Sequence, residues 1–249
     1  MLRRSFLAEA AFWAACLLLA GAFAALAWWS SREYYLPGDR TVTFGVQELY
    51  TQPWADALFT WGNRLGDHWV LAIALGVTAA AIAVRRAFAD VAIVLALMLA
   101  VLAVAAIGHF VMRPTGQYDA MRAVFDGLAH PRIYPSPRGF PSGHVFGEVL
   151  AYGLIFWQAP RVLRWPLLTS VIRVFCVGAI ILGFVSPLYL GAHWLSDCIG
   201  GALLATLVLT LAWRVDRLFQ PNRELIRVQD LIAPQPSPPA APLTEPRAR

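Results

Sequence analysis

The sequence predicts an all-α fold: a polytopic bundle of six transmembrane helices with an amphipathic segment on its outer surface. Three observations carry this. Of 249 residues, 59% are hydrophobic and only 14% charged, and the mean hydropathy is +0.58, too apolar for a water-soluble domain of this length. Apolar stretches close to the ~20 residues that cross a hydrocarbon core recur along the chain. Arginines gather at alternate ends of these stretches, as the positive-inside rule requires of a chain that crosses repeatedly.

The first span, Phe6–Trp29, follows Arg3-Arg4. Arg3-Arg4-Ser5-Phe6-Leu7 looks superficially like a twin-arginine export signal, but the run ends in Trp28-Trp29 rather than at a small-residue cleavage site, so a retained helix is expected. Ser30–His68 is polar with Trp and Leu at intervals, and Gln47–Leu65 has a loose helical period, which predicts an amphipathic helix on the outer surface. The second span is Trp69–Val84, closed by Arg85-Arg86, and the third is Val91–Met112. A Pro- and Gly-rich outer segment, Arg113–Pro141, comes next, with Tyr134-Pro135-Ser136-Pro137 marking an extended or turning stretch. The fourth span, Val145–Trp157, is short and can continue a helix that starts at Ser142; Leu167–Leu190 and Trp194–Trp213 are the fifth and sixth.

Residues 1–218 are therefore expected to form the membrane domain. Residues 219–249 are expected to be a disordered, proline-rich tail, with Pro234, Pro236, Pro238, Pro239, Pro242 and Pro246 among Ala and Arg. Arg3, Arg4, Arg85, Arg86, Arg161, Arg164, Arg214 and Arg217 place both termini in the cytoplasm of a cell (inner) membrane protein. Trp28, Trp29, Tyr34, Tyr35, Trp69 and Trp194 on the outer side, with Trp157, Trp165 and Trp213 on the inner, suit interfacial belts. The net charge of +5 reflects this topology and implies no nucleic-acid partner. Cys16, Cys176 and Cys198 all fall inside spans and imply no disulfide framework.

All five histidines, His68, His109, His130, His144 and His193, fall at or near the outer boundary. In Leu190–Gly201, LGAHWLSDCIGG, His193 and Asp197 are four residues apart at the start of the last span, a spacing that puts both on one face of a helix. A carboxylate on one imidazole nitrogen fixes the tautomer and frees the other as nucleophile or base; a structural His–Asp pair would show the same spacing. Pro141-Ser142-Gly143-His144 stands where a helix begins, with Ser142 placed to cap it and Gly143 letting backbone approach a ligand. A helix N-terminus is a ready anion site. Arg113, before Pro114 at the outer end of the third span, could clamp phosphate oxygens with its planar fork.

Taken together and in this order, these three stretches resemble the type 2 phosphatidic acid phosphatase superfamily, the lipid phosphate phosphatases related to vanadium haloperoxidases. That family pairs Arg-Pro, with a lysine seven residues before the arginine, with Pro-Ser-Gly-His and then Ser-Arg, five residues, His, three residues, Asp. The resemblance runs from the first span to the sixth and implies an outward-facing site without metal or other cofactor. It implies that His193 attacks phosphorus to form a phosphohistidine, oriented by Asp197, and that His144 protonates the leaving oxygen and then activates water. Arg113, Ser142 and the backbone of Gly143 would hold the phosphoryl oxygens of a lipid phosphate or polyprenyl diphosphate among membrane lipids.

Two positions depart from the pattern. Ala106 stands where the lysine is expected and Pro187 where the second arginine is expected, and one preorganised charge donor is worth on the order of a hundredfold in rate. His109, three residues after Ala106, and Arg138, three before Pro141, are candidate substitutes, with Arg132 in the same loop. Glu148 is spaced from His144 as Asp197 is from His193 and is expected to hydrogen-bond it. Alternatives are a catalytically impaired lipid-phosphate binding protein, a small transporter and, more weakly, a metal hydrolase.

Overall fold

The computed structural model describes residues 2–33, 35–84, 139–232 and the isolated positions 96 and 99; for 2–6 and 219–232 it describes the backbone only. The expected third span Val91–Met112, with Ala106 and His109, and the loop positions Arg113, His130, Arg132 and Arg138 lie outside the described residues, as does 233–249. Every regular element that is described is helical: α1 (Leu2–Ser30), α2 (Asp39–Gln47), a 3-10 turn (Glu48–Thr51), α3 (Pro53–Leu65), α4 (His68–Val84), α5 (Gly143–Val162), α6 (Pro166–Tyr189) and α7 (Leu195–Ile232).

Among the described residues, three helices are long and apolar enough to cross a membrane, at Leu7–Ser30, Pro166–Tyr189 and Leu195–Leu218. Their apolar side chains are largely exposed, Leu18 at 74% and Val174 at 73% for example, as expected of helices that are hydrophobic all round and face lipid. The core lies between α4, α5, α6 and α7, where Leu71, Phe146, Leu150, Leu154, Cys176 and Ala205 pack together. At the end of the bundle away from His144 and His193, Arg161 of α5 pairs with the wholly buried Asp216 of α7 at 2.8 Å, and Arg214 pairs with Glu9 of α1.

The expected amphipathic helix of the first connection is divided. Gly38 takes a left-handed φ of 89° ahead of α2, and Pro53, which has no N–H to donate, restarts the chain as α3 after an extended Gln52. α3 is amphipathic, with Ala55, Phe59 and Gly62 buried and Trp54, Leu58 and Trp61 exposed. Its Phe59 ring is 4.5 Å from that of Tyr189, and Gly62 packs against Leu182 and Ser186 of α6, so α3 descends along α6 into the bundle. α3 and α4 meet at a bend of 56° at Gly66 and Asp67, and together the pair is long and apolar enough for a broken span or a re-entrant loop.

One further expectation is corrected. Trp194 is not an interfacial residue: it is wholly buried, with the rings of Phe44 and Tyr35 at 6.0 and 6.3 Å, because the first connection folds over it. α7 continues through Pro221 to Ile232. Glu224, Leu225, Arg227, Gln229 and Leu231 are good helix formers, and the proline-rich composition begins only at Pro234.

Two contacts lock the helix starts that carry the site. Asp39, 1% exposed, accepts hydrogen bonds from the Leu36 N–H, the Ser196 N–H and the Ser196 hydroxyl, each at 2.7 Å, clamping α2 onto the first turn of α7. The Ser142 N–H donates to the Asp197 carbonyl at 3.0 Å, and Gly201, one turn further along α7, allows the close approach: a Cβ there would lie 2.6 Å from the Ser142 carbonyl oxygen. Asp39→Ala should therefore lower unfolding stability in detergent by about 3 kcal/mol, since bonds to a charged acceptor are the strong ones. Gly201→Ala should cost about 1–3 kcal/mol by overpacking backbone against backbone, read as a lower midpoint in the same unfolding experiment.

Candidate active site

Ser142 begins α5 from an extended conformation, and its hydroxyl accepts the Val145 N–H at 3.4 Å, satisfying one of the free donors of the helix start. The residue is wholly buried, so its hydroxyl serves the cap first. Gly143 is exposed, and a Cβ on it would meet nothing within 4 Å. The open side of the helix start is thus here, where the N–H groups and the positive end of the helix dipole favour an anion.

His193 is not on a helix with Asp197, as the four-residue spacing suggested. It stands two residues ahead of α7, in a turn made by Gly191 at φ 65°. The Ala192 and His193 N–H groups both donate to the Pro187 carbonyl, at 2.9 and 3.3 Å. The two side chains still meet: His193 Nδ1 is 3.6 Å from Asp197 Oδ2, with Asp197 wholly buried. That is ion-pair range, longer than a hydrogen bond. The same oxygen accepts the Trp194 N–H at 2.9 Å, a carboxylate reaching back over the helix start in the manner of a capping box, which fixes it against the imidazole.

His144, at the start of α5 ahead of its apolar stretch, finds a different carboxylate from the one expected. Its Nε2 lies 3.6 Å from Oδ1 of Asp67, in the break between α3 and α4. Glu148 is 1% exposed, and neither of its oxygens has a hydrogen-bond partner among the described residues. Its Oε1 points toward Gly66, where a Cβ would lie 2.7 Å from that oxygen and 3.0 Å from His144 Cδ2. Helical spacing does put Glu148 and His144 on one side of α5, but the imidazole nitrogen turns outward to the break rather than down the helix.

The electrostatics tie the two imidazoles together. Burial pushes the His144 imidazole below its ordinary value, the neighbouring His193 and then His68 push the same way, and Asp67 pulls it back up. The His68 ring stands edge-on at 6.1 Å from that of His144. The structure thus brings together His144, His193, Asp197, Ser142 and Gly143, with Glu148 beneath them. Pro187, where a second arginine was expected, has its carbonyl engaged in holding the His193 turn.

Asp67 is the residue that sequence reasoning missed. The available signal was Gly66-Asp67-His68, a carboxylate and an imidazole beside a glycine where an apolar run begins. Among the described residues, no group of three or more His, Cys, Asp or Glu side chains could hold a metal ion. Chemically, the arrangement offers an anion-binding helix start flanked by one imidazole with a carboxylate on Nδ1 and another with a carboxylate on Nε2.

The family model of the PAP2 superfamily matches residues 89–220, more than half of the chain. No curated protein is similar in sequence at a significant level. Among solved structures, the fold is similar to that of the first transmembrane PAP2-type phosphatidylglycerolphosphate phosphatase from Bacillus subtilis. The TM-score is 0.54 and the identity 19%, over 81% of this chain and 96% of that one. With the family shown over the segment that carries His144, His193 and Asp197, and the membrane fold shown over most of its length, the chain belongs to the PAP2 superfamily and to its membrane branch.

Proposed function

We propose that this protein is an integral membrane phosphatase that removes phosphate from a lipid phosphate or polyprenyl diphosphate through a phosphohistidine at His193. The observation that carries the reading is the junction of two helix starts: the Ser142 N–H, two residues before His144, is bonded to the Asp197 carbonyl at 3.0 Å, and the Asp197 carboxylate lies 3.6 Å from His193 Nδ1, beside a backbone open at Gly143. Nε2 of His193 attacks phosphorus as the bond to the lipid oxygen breaks, and the leaving oxygen takes a proton from His144. Water then attacks the phosphohistidine, giving its proton to His144 and restoring His193 as phosphate departs. Asp197 holds Nδ1 throughout and stabilises the imidazolium form. Arg113, Ser142 and the Gly143 N–H neutralise the phosphoryl oxygens, with Arg138 and His109 as substitutes for the cations absent at Ala106 and Pro187. Such chemistry needs positioning and charge neutralisation above all.

The site faces outward from a cell (inner) membrane with both termini in the cytoplasm. Arg161, Arg164, Arg214 and Arg217 gather at the far ends of the helices from it, which supports this orientation. Residues 1–218 form the catalytic domain.

A second reading, a lipid-phosphate binding protein without turnover, is favoured by one observation: residue 187, beside the His193 turn, is a proline whose side chain carries no charge.

Purified protein with a panel of lipid phosphates and excess chelator separates the readings. Phosphate release that survives chelation and falls at least about a thousandfold in His193→Ala, with an acid-labile phosphoprotein trapped in the parent, supports the first. Binding without release supports the second, and a metal requirement overturns both. Because His144 must be protonated to act as the acid and its environment in the free protein lowers its proton affinity, kcat/KM should fall with rising pH from a midpoint below the ordinary imidazole value of about 6.5. A basic limb at or above that value counts against His144 as the acid.

A further inference from the structure

We propose that Asp67 is the positioning residue of His144, so that the site holds two carboxylate–imidazole pairs facing each other, Asp67 with His144 and Asp197 with His193. The proposal rests on the phosphatase reading above and adds a residue from outside the three stretches that suggested it. The separations match: 3.6 Å from Asp67 Oδ1 to His144 Nε2 and 3.6 Å from Asp197 Oδ2 to His193 Nδ1.

The local fold is built to deliver this carboxylate. The helix pair α3–α4 is broken at Gly66 and Asp67 with a 56° bend, and a helix break within a membrane bundle leaves backbone groups to satisfy unless it lines a polar site. A Cβ on Gly66 would lie 2.7 Å from Glu148 Oε1 and 3.0 Å from His144 Cδ2, so glycine lets the break approach the imidazole without displacing either side chain. Tyr152 of α5 fastens the approach, its hydroxyl donating to the Leu65 carbonyl at 3.2 Å. Arg64, three residues earlier, lies over the Trp61 ring at 4.9 Å.

The titratable groups facing His144 are Asp67 from the break, His68 from α4, His193 from the turn before α7, and Glu148 from α5 itself. Of these, Asp67 is the one that favours the imidazolium against burial and against the two other histidines. With Nε2–H held toward Asp67, Nδ1 is the atom that gives a proton to the leaving oxygen and takes one from the attacking water. Asp67 gains and loses no proton over the cycle. The pair His193–Asp197 is thereby the nucleophilic half of the site and Asp67–His144 the acid–base half.

The test compares the full chain with Asp67→Asn and Asp67→Glu in detergent micelles, using dioctanoyl phosphatidic acid. Asp67→Asn should move the basic limb of kcat about one pH unit lower, giving a roughly tenfold loss on that limb with KM within about twofold, and Asp67→Glu should restore the limb. A uniform loss with the limb unmoved overturns the proposal, since a merely structural role would act that way. The imidazole of His144, assigned through His144→Gln, is also titrated by nitrogen-15 NMR, which needs no turnover. Its midpoint should fall by about one unit in Asp67→Asn, and an unchanged midpoint overturns the proposal. If the parent releases no phosphate while the midpoint still responds, the phosphatase reading fails and the pairing stands. If the parent is active and the midpoint is unresponsive, the reverse holds.

Discussion

A single backbone hydrogen bond, from the Ser142 N–H to the Asp197 carbonyl at 3.0 Å, sets the level at which two helix starts meet. His144 lies two residues beyond one partner and His193 four residues before the other, so their separation is fixed by the register of α5 against α7. A slip of one helical turn would move either imidazole by about 5.4 Å, far more than proton transfer tolerates. Much of the surrounding structure holds that register: the clamp of Asp39 on Ser196, the close packing at Gly201, and Arg161 with Asp216 at the opposite end of the same two helices.

The membrane character of the fold was legible in the sequence because apolar composition and length alone identify a span, and α1, α6 and α7 begin within a few residues of where that pattern places them. His193 and Asp197 were legible as a pair, and Ser142 as a cap, since each depends on neighbours in the chain. What was not legible depends on depth and direction. The loose period over Gln47–Leu65 could not say that α3 would turn down along α6, and so could not bring Asp67 to His144. For Trp194 the aromatic type suggested an interface, yet only the folded connection, with Phe44 and Tyr35, shows it to be enclosed. Glu148 had the right spacing for His144, but spacing fixes a face of a helix and not the nitrogen to which an imidazole turns.

Departures from the family pattern take on a structural sense at Pro187. The helix ends at Tyr189, so the Pro187 carbonyl gathers the N–H groups of Ala192 and His193 in the turn that follows. The position contributes to the shape of the turn that presents His193, where an arginine would contribute charge. In the proposed reading, anion binding would lean more heavily on the start of α5, whose dipole is equivalent to roughly half a positive charge.

The length of α7 has a mechanical consequence. Its 38 residues span about 57 Å at 1.5 Å per residue, against a hydrocarbon core of about 30 Å. The apolar part, Leu195–Leu218, accounts for the crossing, and the remainder extends about 20 Å past it as one continuous rod. Because this helix begins beside His193, with Asp197 of its first turn 3.6 Å from the imidazole, the element that crosses the membrane also anchors the turn that holds the imidazole.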